Sequence, residues 1–260
     1  MIEWRDEAVI LERRRHGESH ALVDLFARAH GRWRGLVHGG ASTRMAPLIE
    51  PGNRVQATWR ARLLDQLGYF LIEPQEALLP HLLGAPLRLK LWQAARHLLL
   101  AVLPERHPYE AVFSALAGLR AVLALDTVSA GHLGEALARF ELAVIASSGF
   151  ALDLARCAVT GEPWELVYVS PRTGRAVSRA AGAPYASKLL PLPGFLRPDR
   201  EERQAPSAAE LADAFRLTGY FLDRHVFAPI HQPPPPARAD AVSALIAAAE
   251  QEATAGSPAG

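Results

Sequence analysis

At 260 residues the chain is long enough for one large domain or several small ones, and half of its residues are apolar, ample for a buried core. The formal net charge of +1 singles out no partner, and one cysteine, Cys157, excludes an intramolecular disulfide framework and fits a reducing compartment. The N-terminus carries acids where a signal peptide needs basic residues, and no apolar stretch approaches the ~18 residues of a membrane span, so the expectation is a cytoplasmic protein with no membrane partner.

The first ~80 residues read as strands. Ala8-Val9-Ile10-Leu11 and Ala21 to Phe26 are short β-prone runs, and a hairpin turns at His30-Gly31 to return through Arg34-Gly35-Leu36-Val37. In the segment 53–62 apolar residues occupy 55, 57, 59 and 61 while 54, 56, 58, 60 and 62 are polar. Such alternation buries one row and shows water the other, which here includes Arg54, Arg60 and Arg62. Tyr69 to Ile72 makes a fifth strand, stopped by Pro74. Five short strands with glycine-containing connections predict a small barrel of the OB type over 1–80.

From about residue 85 the period becomes helical. Leu87, Leu91, Ala95, Leu98 and Val102 share a stripe; so do Val112, Leu116, Leu119 and Leu123; so do Leu133, Leu137, Phe140, Val144 and Ile145, closed by Gly149 as a helix C-cap. These predict a helical bundle over 81–150. Residues 151–205 break the pattern with turns, prolines and short β-like runs. A capping box, Ser207 to Glu210, opens a returning bundle helix over 206–232, with Leu211, Phe215, Thr218 and Leu222 on one face. Pro233 to Pro236 form a stiff spacer, and 233–260 reads as a Pro/Ala-rich tail, disordered at its end. The fold class is α+β and multidomain.

No phosphate loop, dinucleotide fingerprint, zinc-protease motif or nucleophile elbow is present, and nothing pairs Cys157 with a histidine as a thiol nucleophile. No catalytic residue and no cofactor are expected. Weight shifts to binding. Residues 1–62 hold eleven arginines against seven acids. Arg54, Arg60 and Arg62, with Arg32, Arg34, His38 and Arg44 nearby in sequence, form a candidate DNA-binding set, since guanidinium groups neutralise phosphates and release counterions. Arg13, Arg14 and Arg15 are further candidates, or a solvated strand end; the preference for Arg over Lys also follows from GC-rich codon usage. Trp33, Trp59 or Tyr69 offer a flat surface for an unstacked base, although Trp59 shares its row with the strand's apolar residues and reads as core.

Two stretches then carry a family resemblance. Arg34-Gly35-Leu36-Val37-His38-Gly39-Gly40-Ala41-Ser42 leads into Pro47-Leu48-Ile49-Glu50-Pro51-Gly52, and Phe150-Ala151-Leu152-Asp153-Leu154 enters Cys157-Ala158-Val159-Thr160-Gly161, followed by Val169-Ser170-Pro171-Arg172-Thr173-Gly174-Arg175. In order and spacing the chain resembles the RecO family over roughly residues 3 to 230. Many such proteins carry two C-x-x-C pairs where this chain has Cys157, Thr160, Ser178 and Ala181. One thiolate does not hold a structural zinc. The resemblance therefore implies a zinc-ribbon-like module over 151–205 without its metal ligands; from composition, apolar packing by Leu152, Trp164, Val167, Tyr168, Val177 and Tyr185 is expected in the metal's place.

The resemblance also implies a nucleoid-associated recombination mediator in DNA repair, not an enzyme. It implies binding of single- and double-stranded DNA, annealing of complementary strands, and action with RecR to load the RecA recombinase onto strands coated by the single-stranded-DNA-binding protein SSB. The acidic, apolar-ended C-terminal tail of SSB is expected on the helical domain, with Arg96, Arg120 and Arg139 as its candidate cations. The alternative is an interaction module whose barrel binds a protein instead of DNA. The basic loop after His38 is poorer than the family's, with Gly39 to Thr43 preceding Arg44 where relatives often place adjacent cations.

Overall fold

The computed structural model describes residues 1–198 and 204–255. They fall into two compact units, one of residues 1–92 and 99–124, the other of residues 93–98 and those from 125 onward.

The first unit is built on five strands: β1 (Ile2–His16), β2 (His20–Ala27), β3 (Gly31–Val37), β4 (Arg54–Ala61) and β5 (Tyr69–Glu76). They close into a barrel in the order β1-β2-β3-β5-β4, antiparallel except where Leu36 and Val37 of β3 run parallel to Tyr69 and Phe70 of β5. This is the barrel expected from the alternating sequence. Val55, Ala57, Trp59 and Ala61 face inward and are buried with Val23, Leu25, Trp33 and Phe70. Two expectations change. The short run at Ala8 is the middle of a fifteen-residue strand. Its first half pairs with β4 and its second with β2, with an irregularity between Ile10 and Glu12 where the partner changes. Pro74 does not stop β5 either: it pairs with Val55 beside a register shift at Arg54/Val55, where a missing N–H costs the ladder little.

The first unit also contains α1 (Leu79–Leu82), most of α2 (Pro86–Val102) and α3 (Glu110–Leu123). The stripe predicted for α3 is buried in full, and its Phe113 meets Phe26 of β2 at 5.5 Å and the Arg28 guanidinium at 4.6 Å. Gly31 opens β3 with φ +71°, and a Cβ there would collide with the carbonyl of His107. Only glycine permits both that backbone and that approach.

The second unit holds α4 (Ala130–Ser147), a three-stranded sheet of β6 (Leu166–Val169), β7 (Ala176–Ser178) and β8 (Leu190–Pro191) in the order β7-β6-β8, the short α5 (Arg179–Gly182), α6 (Ala208–Phe221) and α7 (Pro236–Ala255). Gly149 follows α4 with φ +89°, the left-handed residue expected past a helix end. The capping box forms at Ser207, whose Oγ accepts from the Glu210 N–H at 3.3 Å while the Glu210 carboxylate accepts from the Ser207 N–H at 3.1 Å. The stretch read as a tail is different: twenty of its residues are α7, and Ala241, Leu245 and Ala249 are buried. The last five residues, expected to be disordered, lie outside the described residues.

What fixes α7 is a buried ion pair. Glu141 of α4, 1% exposed, takes both branches of the Arg238 guanidinium at 2.7 and 2.9 Å and accepts from the Thr218 hydroxyl of α6 at 2.5 Å. Arg238 also donates to the Phe215 carbonyl at 3.1 Å. At the other end of α7, the Glu252 carboxylate accepts from the Ala130 N–H at 3.0 Å, at the positive end of α4. Removing one member of such a buried pair strands the other charge. Arg238→Ala is expected to lower stability by about 3–5 kcal/mol in urea unfolding, and the Glu141→Leu/Arg238→Met double variant by less, because no charge is left buried.

Candidate nucleic-acid interface

The outward row of β4 carries Arg54, Gln56, Thr58 and Arg60, with Arg62 just past its end. Strands β1 and β5 flank it, so each arginine meets their side chains. Arg60 Nε donates to Glu3 at 2.6 Å; Arg54 lies 3.3 Å from Glu7 and 3.4 Å from Glu76; Arg5 donates to Glu73 at 2.8 Å. The face is thus a lattice of alternating charge, not a stripe of cations. Arg54 and Arg62 are also eight residues apart along an extended chain, about 26 Å. Over 1–76 the arginines number eleven and the acids ten, because residues 63–76 add Asp65, Glu73 and Glu76.

Arg32 and Arg34, on the outer row of β3, converge on the buried Asp24 of β2. Arg32 donates to both Asp24 oxygens at 2.9–3.1 Å and to the carbonyls of Leu100 and Leu103 at 2.9 and 3.0 Å. Burial lowers its pKa and the Asp24 hydrogen bonds and charge outweigh that, so the net shift is upward. This guanidinium binds the strand to the chain around α2. Arg34 reaches Asp24 at 3.2 Å and Glu105 at 3.3 Å and is more open, 39% exposed.

The other end of β3 differs. His38 is exposed, and its ring lies 5.4 Å from that of Tyr69 and 4.9 Å from that of His20. The parallel pairing of Leu36 with Tyr69 brings these rings together, and Tyr69 stands opposite Arg60 on β4. Arg44, in the loop after His38, and Arg62 are exposed, and no ion pair holds either among the described residues. That loop is tied down by the Ala41 N–H donating to the Ser19 carbonyl at 3.1 Å. Beside it is a cavity of about 230 Å³ lined by Arg13, Arg15, Ala21, Gly40 and Ala41. Arg13 is paired with Glu50 at 2.6 Å, whereas Arg15 donates to the carbonyls of Gly17 and Glu18, and no ion pair holds it among the described residues.

The sequence set is therefore divided. His38 and Arg60 meet Tyr69, Arg62 lies two residues beyond Arg60, and Arg44 is on the loop after His38; Arg32, Arg34 and Arg54 stand against carboxylates. Of the aromatic candidates, Trp33 and Trp59 are core, meeting edge-to-face at 5.0 Å inside the barrel, and only Tyr69 reaches the surface. Sequence reasoning missed the His20–His38–Tyr69 cluster, since no local pattern signals a parallel pairing across 33 positions. It also missed Arg106, which donates to the Leu64, Asp65 and Gln66 carbonyls and stacks on Trp33, fixing the loop that carries Arg62.

Arg96, Arg120 and Arg139 lie on α2, α3 and α4. Arg120 is only 4% exposed, donates to the Gly52 carbonyl at 2.7 Å and faces Glu76; burial lowers its pKa. Its charge is internal. Arg139 is half exposed, bridging Glu135 at 2.9 Å and the Phe195 carbonyl at 2.7 Å, and Arg96 meets the His97 ring at 2.8 Å.

At the ribbon-like positions, Cys157 is buried. The Ser178 N–H donates to its Sγ at 3.3 Å, and the Ser178 hydroxyl lies 3.5 Å away. No group of three or more His, Cys, Asp or Glu suited to a metal exists among the described residues. Trp164 and Tyr185, expected to pack in the metal's place, are instead 65% and 60% exposed, while Val177 is buried as expected. Burial pushes the thiol up, but hydrogen bonds from Ser178 and Thr160 outweigh it and bring the pKa down to about 6.

Comparison with known proteins adds the following. The family model "Recombination protein O N terminal" matches residues 1–73, and "Recombination protein O C terminal" matches residues 86–234. A DNA repair protein RecO of Chelativorans sp. (strain BNC1) is 50% identical over 246 residues, covering 94% of this chain and 96% of the relative. Proteins of the same name from Rhodopseudomonas palustris (strain TIE-1) and Rhodospirillum centenum are 46% and 47% identical, covering 97% and 91% of this chain and 99% and 92% of those relatives.

A thiol with a folded pKa near 6 and an ordinary value of 9 contributes stability above pH 9 and loses it as pH falls toward 6. The stability difference between the parent protein and Cys157→Ala is expected to shrink over that interval, read by urea unfolding at each pH. Ser178→Ala, which removes one donor, should move the thiolate absorbance midpoint upward.

Proposed function

Because the chain belongs to the recombination protein O (RecO) family of DNA repair proteins, we propose that it works as a binding protein without turnover of its own. On this reading it holds single- and double-stranded DNA on the barrel and anneals complementary strands. Together with RecR it helps load RecA onto strands coated by SSB. The SSB tail docks on the helices, where the burial of Arg120 leaves Arg96 and Arg139 as the cations for its acidic residues.

The observation that supports DNA on the barrel is the company His38 and Tyr69 keep. Two rings at 5.4 Å, one exposed and one half-buried, stand next to Arg60, with Arg62 two residues on and Arg44 on the loop after His38. Rings offer a base a stacking surface and unpaired guanidinium groups offer phosphates a counter-charge, neither of which reads base edges. Binding is therefore independent of sequence and sensitive to salt. Arg54 and Arg60 must exchange a carboxylate for each phosphate they take, so they return less affinity than Arg15, Arg44 and Arg62.

Each phosphate neutralised on a single strand changes the log–log salt slope by about 0.7. Arg15→Ala/Arg44→Ala/Arg62→Ala is expected to flatten that slope by about 2, measured by fluorescence anisotropy with an oligo(dT) probe, and Arg54→Ala/Arg60→Ala by less than about 1. An unchanged slope in the first variant removes the barrel assignment. Absence of any binding at low salt would favour a barrel that takes a protein partner.

A further inference from the structure

The three-stranded module of the second unit carries a feature that the barrel reading leaves unused. Residues 151–198 contain six basic residues against three acidic, a local excess of positive charge. Five of the six, Arg156, Arg172, Arg175, Arg179 and Lys188, are exposed. Among them stand Trp164 and Tyr185, the most exposed tryptophan and tyrosine of the described residues.

The topology gathers the key members on one hairpin. The turn between β6 and β7 is closed by the Ser170 N–H donating to the Arg175 carbonyl at 2.9 Å, and this places Arg172 and Arg175 at its tip. At the other end the Arg179 N–H donates to the Glu165 carbonyl at 2.9 Å, so Arg179 stands across from the residue that follows Trp164. From Arg175 to Arg179 is four residues of extended chain, about 13 Å. That is a reach comparable to two nucleotide steps of a stretched strand.

The Trp164 ring is held as well as exposed: its Nε1–H donates to the Glu162 carboxylate at 2.9 Å, anchoring the indole by its edge and leaving the rest open. Among the acids, Asp153 is 3.4 Å from Arg175, and Glu162 is occupied by the indole. No ion pair holds Arg172 or Arg179 among the described residues.

We propose that this hairpin, with Trp164 as stacking platform and Arg172, Arg175 and Arg179 as phosphate contacts, is a second binding surface for single-stranded DNA, separate from the barrel. The inference rests on the reading of the chain as a DNA-binding repair protein. A single strand is required because the indole needs a base with a free face, and in a duplex both faces are already stacked. An exposed ring on a hairpin that also carries guanidinium groups suits any base, so the surface is indifferent to sequence.

Tryptophan fluorescence of the full-length protein provides the test, because the other four tryptophans are buried or half-buried: Trp33, Trp59 and Trp92 in cores, Trp4 stacked on His30 at 4.3 Å. The emission difference between the parent and Trp164→Phe isolates this one ring. Oligo(dT) is expected to quench that component and shift it to the blue, while a blunt duplex of equal length leaves it unchanged. Trp164→Ala should weaken oligo(dT) binding roughly tenfold, within the range for loss of one stacked base. Arg172→Ala/Arg175→Ala/Arg179→Ala should flatten the salt slope by about 2. The quench should persist in the Arg15→Ala/Arg44→Ala/Arg62→Ala barrel variant. If anisotropy shows oligo(dT) bound but the Trp164 emission is untouched and both module variants bind as the parent does, the second surface is refuted while the barrel reading stands. If oligo(dT) is not bound at all, both fail together.

Discussion

The double pairing of β1 is the constraint on which the barrel depends. One strand of fifteen residues serves β4 with its first half and β2 with its second, and the irregularity near Ile10 lets it turn from one partner to the other. Closure removes the exposed sheet edges and forces every strand to present one row inward and one outward. Inward, this packs Trp33, Trp59, Phe70 and the aliphatic residues around them. Outward, it interleaves the acids of β1 and β5 with the arginines of β4, because neighbouring strands contribute alternately to a common surface. The charge lattice is a consequence of closure, and it decides which cations remain available to a polyanion.

Available charge is therefore a property of neighbours rather than of counts. Arg32 and Arg62 are equally basic as sequence, yet one is fixed by a buried carboxylate and two carbonyls while the other has no ionic partner among the described residues. A phosphate that approaches Arg62 gains a contact. One that approaches Arg32 must displace bonds that hold the unit together. The same distinction separates Arg120, buried against a backbone carbonyl, from Arg139 on the surface of α4.

These distinctions mark what the sequence can and cannot show. Period-two alternation over 53–62 and the apolar stripes of α2, α3, α4 and α6 were legible because the hydrophobic effect acts locally through each element's own repeat. The identity of ion-pair partners was not: Arg60 finds Glu3 and Arg54 finds Glu7 across 57 and 47 residues, a matter of register that only the closed barrel settles. Helix α7 escaped for another reason. It is rich in alanine, which packs on either face, so it shows little amphipathic contrast, and its docking rests on Arg238 and on three small or medium apolar residues. By sequence Trp164 reads as packing, because an aromatic residue in a small module usually serves as core; in the structure its indole lies at the surface, bonded to Glu162.

In the module around Cys157, hydrogen bonds to the sulfur and between backbones hold the small sheet together. The Cys157 sulfur accepts from the Ser178 backbone, and Ala158 and Ala176 join the same strands through a 2.7 Å backbone bond, so positions 157 and 178 meet although 21 residues separate them. Directional hydrogen bonds thus tie the knuckle to β7, at a fraction of the strength that four metal–ligand bonds would supply. The apolar surface available to add to this is limited, because Trp164 and Tyr185 point into solvent instead of inward. Leaving two large rings uncovered in so lightly bonded a module forgoes apolar burial, and the Trp164 indole is fixed instead by the bond of its edge to Glu162.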